Sequence, residues 1–403
     1  MAGKALRFWA AGTAAVCIAI PSLSRSRVAD SRLAGDDLTV HEWGTFTSVA
    51  GRDGQAVEWL PLTGSTDLPG FVEHLRDAVF KCGLGGTVRM ETPVIYFYTP
   101  RETTASVKVS FAKGLITEWY PHASAVEPAA GGARLSRGEV NGSIRWDRVR
   151  LLPASHAEFP SGRDDNHYYA ARNTSATPVR VSAPGGDQNE RFLFYRGVSE
   201  TRMPVAARIA TRGQVLVQNL GPDAIPSIML IESRSGKVGY RVASNLRDQI
   251  QLDPPALTAA TGEMLQDLEG MLIAQGLYVD EARAMIATWR NSWFEEGTRL
   301  LYILPAPAVN TILPLSVSPA PASTVRVFVG RLEIVTPATE AAVEQAFAAH
   351  DHQALDQYRR FLEPILKTLL DGSREDPVRT RALQADLNSV YTYACRWPWP
   401  TGE

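Results

Sequence analysis

Cysteine is scarce in this sequence of 403 residues, which contains three, Cys17, Cys82 and Cys395. No two of them form a CxxC pair, so neither a zinc finger nor a thioredoxin-like redox site is indicated. Cys17 lies in the N-terminal segment. The other two leave two alternatives open, one disulfide in an oxidising compartment or two separate buried thiols, because spacing alone does not establish proximity.

The chain also lacks a strong excess of charge of either sign. Lys and Arg number 41 and Asp and Glu number 43, which gives a formal net charge of −2. Without a basic field to hold phosphates, nucleic-acid binding is not expected. After residue 30 no apolar run approaches the ~20 residues that cross a bilayer, so we expect no membrane span once the N-terminal segment is removed.

Several standard catalytic signatures are missing as well. The sequence contains no GxSxG elbow, no HExxH, no Walker A loop and no EF-hand loop. Gly83–Gly86 is rich in glycine, but a strand pattern follows it. A phosphate cradle needs a helix N-terminus at that point, and we therefore interpret this segment as a turn.

The N-terminus, in contrast, has the pattern of a secretory signal. Lys4 and Arg7 precede an apolar run from Phe8 to Ile20, and small residues follow Pro21. We predict a signal peptide over 1–24 and a linker over 25–38. A retained N-terminal anchor is the alternative, although the run is short for a span. The predicted location is periplasmic or secreted.

Residues 39–245 carry mainly β signals. The run Val94–Tyr98 is β-branched and aromatic, and Val107–Tyr120 reads as a hairpin that turns at Ala112–Gly114. Two Pro- and Gly-rich stretches, 126–138 and 176–188, read as long loops. Many short strands separated by Pro- and Gly-rich segments indicate a β-sandwich or a β-barrel.

Helical periodicity begins near residue 256. Apolar residues spaced three and four apart predict two consecutive helices, a helical hairpin, and strand patterns follow up to residue 336. Thr336-Pro337 has the pattern of an N-cap and a first helical position, and 337–403 is predicted to be helical. The fold class is therefore mixed α+β, mainly antiparallel and sandwich-like, with a helical hairpin inserted at 246–336 and a C-terminal helical section.

Four segments together resemble a family of exported bacterial proteins to which no activity is assigned. They are VHEWGTFTSVAG from Val40, METPVIYFYTP from Met90, ITEWYP from Ile116 and TWRNSWFEEGTRLLYILP from Thr288. The resemblance covers much of residues 39–336. It implies export and adds nothing to the choice of a mechanism.

Imidazole and carboxylate groups near strand ends suggest one candidate site. His41, His122 and His167 with Asp165 could hold a divalent ion such as zinc, if they converge in space. Glu42 or Glu118 would then serve as general base on a bound water. Because His41 and Glu42 are adjacent in a strand, we expect their side chains to point to opposite faces. Each histidine has a competing structural interpretation, and Asp164–His167 could be a solvated turn.

Tryptophan suggests a second candidate site. The chain contains nine Trp, and an aromatic face can bind a sugar ring by apolar contact. Trp43 and Trp119, in the β-rich part, are the predicted ligand contacts. The competing interpretation, core packing, applies to at least half of the Trp residues.

Two functional hypotheses follow. The first is an exported β-rich binding or envelope-associated protein whose ligand is a glycan or another extracytoplasmic molecule. The alternative is a metal-dependent hydrolase that uses the His and carboxylate residues.

Overall fold

A computed structural model of the chain describes residues 37–62, 68–75, 84–128, 140–155, 157–162 and 166–396. The predicted signal peptide, most of the predicted linker, Cys82 and Asp165 lie outside these ranges. The side chain of Cys395 lies outside them too, so both disulfide alternatives stay open. None of the helices that the structure describes has the length and apolar character needed to cross a bilayer.

The described residues form strands in three sheets. The strands are β1 (Thr39–Ala50), β2 (Glu73–His74), β3 (Val88–Tyr98), β4 (Thr103–Phe111), β5 (Gly114–Tyr120), β6 (Ala125–Glu127), β7 (Gly142–Leu151), β8 (Val179–Ala183), β9 (Gly186–Glu190), β10 (Leu193–Ser199), β11 (Val205–Ile209), β12 (Val215–Asn219), β13 (Ile225–Arg234), β14 (Lys237–Leu246), β15 (Gln249–Leu252), β16 (Gly297–Ile303), β17 (Leu315–Ser318) and β18 (Ser323–Ile334).

The α-helices that the structure describes lie in the second half of the chain, and three of them precede the last strand β18. They are α1 (Thr261–Ile273), α2 (Val279–Trp293), α3 (Ala306–Ile312), α4 (Pro337–Ala348), α5 (His352–Asp356), α6 (Leu362–Gly372) and α7 (Pro377–Arg396). Short 3-10 turns occupy His167–Arg172, Thr211–Gly213 and Arg359–Phe361. The predicted mixed α+β class, mainly antiparallel with a helical hairpin and a helical C-terminal section, is confirmed.

The largest sheet has nine strands in the order β14-β13-β16-β18-β1-β3-β10-β5-β2. The VHEWGTFTSV segment is its central strand β1, which pairs in parallel with β18 and antiparallel with β3. A six-stranded sheet runs β17-β4-β7-β8-β9 with β6 beside β7, and β11-β12-β15 form the third sheet. Sheet edges therefore occur at β2 and at β9.

One face of the nine-stranded sheet packs on the two smaller sheets, and we call it the sandwich face. Its apolar cluster joins Val40 and Phe46 of β1 to Val109 of β4 and Trp146 of β7, and Val217 of β12 completes it. All five side chains are buried. Alternation along each strand supplies this cluster, as expected for packed antiparallel sheets.

The helical hairpin α1–α2 covers the other face, which we call the hairpin face. Trp289 and Trp293 of α2 pack there with Trp43 of β1. Gly276 lies between the two helices and has φ +105°. That left-handed conformation suits glycine because it has no Cβ.

The C-terminal helices α4–α7 pack around a separate apolar cluster that includes Phe361, Ile365 and Trp59. The predicted cap of α4 is confirmed, since the Thr336 side chain accepts a hydrogen bond from the Thr339 N–H and Pro337 follows it. Helix α7 begins at Pro377.

Two local predictions are wrong. Val107–Tyr120 does not form a hairpin, because β4 pairs with β7 and β17 while β5 pairs with β10 and β2. The chain crosses from one sheet to the other at Lys113, and each strand buries its apolar side chains across the sandwich. The stretch 176–188 is also not one long loop, since it contains β8 and most of β9, which pair with each other.

Candidate ligand-binding site

A cavity of about 630 Å³ lies where the edge strand β2 of the large sheet meets the edge strand β9 of the six-stranded sheet. We call it the edge pocket. Its size is within the ~300–1,000 Å³ typical of small-molecule sites. It is lined by Gly70, Phe71, Val72, Glu73, His74, Leu75, Trp119, His122, Val126, Ala183, Pro184, Gly185 and Gln188.

Trp119 supplies an aromatic wall of this pocket. Its neighbour across the β2–β5 pair is Glu73, and the indole Nε1 donates a hydrogen bond of 2.9 Å to Glu73 Oε2. The ring is only partly buried, whereas the other described Trp residues are buried, namely Trp43, Trp59, Trp146, Trp289 and Trp293. The hydrogen bond fixes the ring plane, and the exposed fraction leaves ring surface for a ligand.

The same carboxylate also holds His122. Its Nδ1 lies 2.8 Å from Glu73 Oε1, and the two side chains are 36% and 30% exposed. An ionised carboxylate only accepts hydrogen bonds, so in the neutral imidazole the proton sits on Nδ1 and Nε2 carries the lone pair. Glu73 therefore orients two groups of the pocket, one aromatic and one basic.

Gln188 reaches the pocket from the opposite sheet. Its Oε1 accepts a 2.7 Å hydrogen bond from the backbone N–H of His122. Since an N–H must meet an oxygen, this contact fixes the amide orientation and leaves the two N–H donors on the other side of the group. The pocket thus combines donors and an acceptor around an aromatic face.

A buried anchor holds the segment between Trp119 and His122 in place. Strand β5 ends at Tyr120, and the indole Nε1 of Trp146 donates a 2.9 Å hydrogen bond to the carbonyl oxygen of Pro121. Trp146 is part of the sandwich-face core. Core packing therefore determines where His122 leaves the sheet.

His41 and Glu42 point to opposite faces, as predicted. His41 Nδ1 lies 2.8 Å from Glu281 Oε2 of α2, on the hairpin face. The Tyr98 hydroxyl donates to the other oxygen of Glu281 at 2.8 Å. Burial and this carboxylate raise the pKa of Tyr98 far above its usual range. The arrangement ties the central strand to the hairpin.

Glu42 points to the sandwich face and accepts two short hydrogen bonds. The Tyr195 hydroxyl and Arg326 Nε each donate to it at 2.5 Å. The side chain is fully buried and lines none of the described cavities. This placement assigns Glu42 to an internal ion pair and keeps it away from the water that a general base would activate.

The remaining predicted residues lie apart from one another. The His167 ring lies 5.8 Å from the Trp289 ring, whereas His41 contacts Glu281, about two helical turns or roughly 12 Å away on α2. Glu118 is buried and accepts a 2.5 Å hydrogen bond from Thr117 Oγ1. Its Cα partner on the edge strand is His74.

The described residues include no group of three or more His, Cys, Asp or Glu side chains that could hold a metal ion. The predicted ligands His41, His122 and His167 each have different neighbours, and the structure does not bring them together. Asp165 lies outside the described ranges, so its role as a ligand stays a prediction.

The structure separates the two predicted ligand contacts. Trp119 lines the edge pocket, but Trp43 is fully buried under the hairpin. A ligand could reach Trp43 only if α2 left the sheet. We therefore assign Trp43 to the core.

Sequence reasoning missed Glu73, His74 and Gln188. Glu73 and His74 form a strand of two residues, which is too short for any periodic pattern to show. Gln188 lies in a stretch that was interpreted as a loop. Its pairing in β9 depends on β8, and no local signal identifies the sheet edge that it faces.

Comparison with protein-family models found no match, and comparison with curated protein sequences found none. Among solved structures, the chain is similar to the yeast delta-COP-I mu-homology domain complexed with a Dsl1 WxWxV peptide. The match has 9% sequence identity and a TM-score of 0.27, and it covers 75% of this chain and 97% of that chain. A likeness this low carries no argument about fold or function. Because the comparisons carry no argument, the functional proposal is based on the geometry of the edge pocket alone.

Proposed function

We propose that this chain is an exported binding protein that holds a carbohydrate in the edge pocket. The observation that carries the proposal is Trp119, a partly exposed ring whose plane is fixed by Glu73 inside a cavity of suitable size. One face of a sugar ring presents C–H groups that pack on an aromatic surface, while its hydroxyls need hydrogen-bond partners.

The polar groups of the pocket match those hydroxyls. His122 Nε2 offers an acceptor and the Gln188 amide offers donors, and hydrogen bonds to Glu73 and to the His122 backbone hold the two side chains in place. Because these contacts fix the side chains before a ligand arrives, little rotamer entropy is lost on binding. Phe71, Val72 and Val126 add apolar lining, which excludes water from the contact.

Calorimetric titration with a panel of mono- and disaccharides tests the proposal. We expect at least one sugar to bind, and Trp119→Ala to weaken it roughly 10- to 100-fold, as loss of the apolar contact of one large side chain predicts. Trp119→Phe retains an aromatic face and should lose much less. Circular dichroism checks that each variant is folded.

Two results would contradict the binding proposal. One is the absence of heat with every sugar of the panel. The other is a sugar that binds Trp119→Ala as tightly as the natural sequence, since that places its site elsewhere.

Export is the second part of the proposal, and the signal-like N-terminus supports it. When the full-length chain is expressed in a bacterial host, we expect the protein in the periplasmic fraction with a mass that corresponds to cleavage after residue 24. Recovery of the intact precursor from the cytosol would contradict it. Replacement of Ser24 by Arg should block processing, because a signal peptidase needs a small residue directly before the cleavage site.

A further inference from the structure

We propose that the edge pocket also hydrolyses its ligand when that ligand carries a carboxylic ester, with His122 as general base on a water molecule. The inference rests on the proposed carbohydrate site and names a substrate class for it, an O-acylated sugar. It depends on the arrangement of Glu73, His122 and Gln188, which the binding proposal alone does not require.

The first argument is the orientation of the base. A carboxylate 2.8 Å from Nδ1 fixes the imidazole tautomer and directs Nε2 away from Glu73. His122 lines the cavity, so its free ring edge is accessible to a bound water. Other ionisable lining groups are Glu73 and His74, both from β2.

The second argument is the identity of the nucleophile. Among the described residues that line the edge pocket, none is Ser, Thr, Cys or Lys. Hence none of these described side chains can form an acyl-enzyme of the usual kind. Water activated by His122 is the nucleophile that this lining permits.

The third argument is a donor next to the base. The Oε1 atom of Gln188 accepts a hydrogen bond from the His122 backbone N–H. The amide nitrogen of Gln188 then presents two N–H donors. A tetrahedral intermediate concentrates negative charge on the former carbonyl oxygen, and a fixed donor near that oxygen stabilises it. The same residue thus positions His122 and provides a donor for the oxyanion.

The step balances without a co-reactant. Nε2 of His122 takes a proton from water as the water oxygen forms a bond to the carbonyl carbon, and the carbonyl oxygen becomes the oxyanion. When the intermediate collapses, the bond from carbon to the sugar oxygen breaks and His122 returns the proton to that oxygen. The products are a carboxylic acid and the free sugar hydroxyl.

Acetate release from peracetylated xylose by the purified full-length chain tests the inference, with 4-nitrophenyl acetate as a second ester. We expect turnover that falls roughly 100-fold or more in His122→Asn, which is the usual contribution of a general base. The matched control is His352→Asn, an exposed histidine of α5, and it should turn over like the natural sequence.

Glu73 is a positioning residue, and its test separates kcat from KM. In Glu73→Gln the amide oxygen can still accept the Trp119 indole N–H, but the amide N–H can donate to Nδ1 of His122 and favour the wrong imidazole tautomer. We therefore expect kcat to fall while KM stays nearly unchanged. A merely structural role for Glu73 would change kcat and KM together.

Two outcomes separate this inference from the binding proposal. If a sugar binds in calorimetry but no ester is hydrolysed above the buffer rate, hydrolysis is overturned and binding stands. Turnover that persists in His122→Asn also overturns it. Turnover lost in His122→Asn and kept in His352→Asn, with a lower kcat at nearly unchanged KM in Glu73→Gln, supports it.

Discussion

Glu91 is a buried carboxylate that several guanidinium groups stabilise. It lies on β3 opposite Thr45 of the central strand, with 1% of its surface exposed, and it forms an ion pair with Arg360 of the C-terminal section. Burial alone would raise its pKa, but nearby guanidinium groups outweigh burial and lower the pKa to about 2. Those groups are Arg360, Arg89, Arg196 and Arg331.

This arrangement predicts a stability that depends on pH. The pKa of Glu91 is lower in the folded chain than the ordinary value of 4.5, so its contribution is complete above about pH 4.5 and is lost as the pH falls toward 2. We expect Glu91→Gln to destabilise the protein by about 3 kcal/mol at pH 7, because buried guanidinium charge then lacks its partner. The difference in unfolding free energy between Glu91→Gln and the natural sequence should shrink below pH 4.5.

Urea unfolding at a series of pH values measures this difference. The matched control is Glu102→Gln, which breaks the exposed pair with Arg150 and should leave the midpoint unchanged. A Glu91→Gln protein with the natural midpoint at pH 7 would contradict the role of Glu91.

At the residue scale, the sequence predicted which way a side chain points better than it predicted which residue that side chain contacts. Adjacent positions in a strand alternate between faces, so the opposite directions of His41 and Glu42 followed from local geometry. Their partners Glu281 and Arg326 are hundreds of positions away. Those contacts exist only once the sheet and the hairpin are assembled. The sequence therefore could not show whether His41 and Glu42 belong to a metal site or to internal contacts.

Among the elements, β16 and β18 show how closely the large sheet is packed. Gly330 of β18 is the Cα partner of Tyr302 of β16, and a Cβ at Gly330 would lie 2.1 Å from Tyr302 Cζ. The ring is buried in the sandwich-face core. The Tyr302 ring lies over Gly330, so a larger residue at position 330 would displace the ring.

We therefore expect Gly330→Ala to cost about 1–3 kcal/mol, since the Tyr302 ring must leave its packed position. Gly270→Ala in α1 is the matched control. A Cβ there meets nothing within 4 Å, and alanine in an exposed helix should stabilise by about 0.4–1 kcal/mol. Thermal unfolding of both variants measures the two effects, and a stabilised Gly330→Ala would contradict this packing.

Helices were more predictable than strand pairs at this scale. The cap of α4 and the hairpin α1–α2 follow from nearby residues, because helical contacts are local. Pairing of β4 and β5 was mispredicted because a turn signal at Ala112–Gly114 fits two outcomes, a hairpin and a crossover between sheets. Long-range burial on the sandwich face decides between them.

The whole molecule creates the site that no single segment contains. The edge pocket needs the edge of one sheet, the edge of another and the anchored exit of β5 between them. The sequence identified Trp119 and His122 as candidates through residue type alone. It could not identify Glu73 or Gln188, because their contribution depends on how two sheets meet.

Oxidation of Trp119, read by peptide mass spectrometry, tests the central claim most directly. With a limited amount of N-bromosuccinimide, the Trp119 peptide should react well before the peptides of buried Trp43 and Trp146, and a saturating sugar that binds in calorimetry should slow it several-fold. A sugar that binds while Trp119 reacts at its original rate would show that the ligand lies elsewhere and would contradict the account.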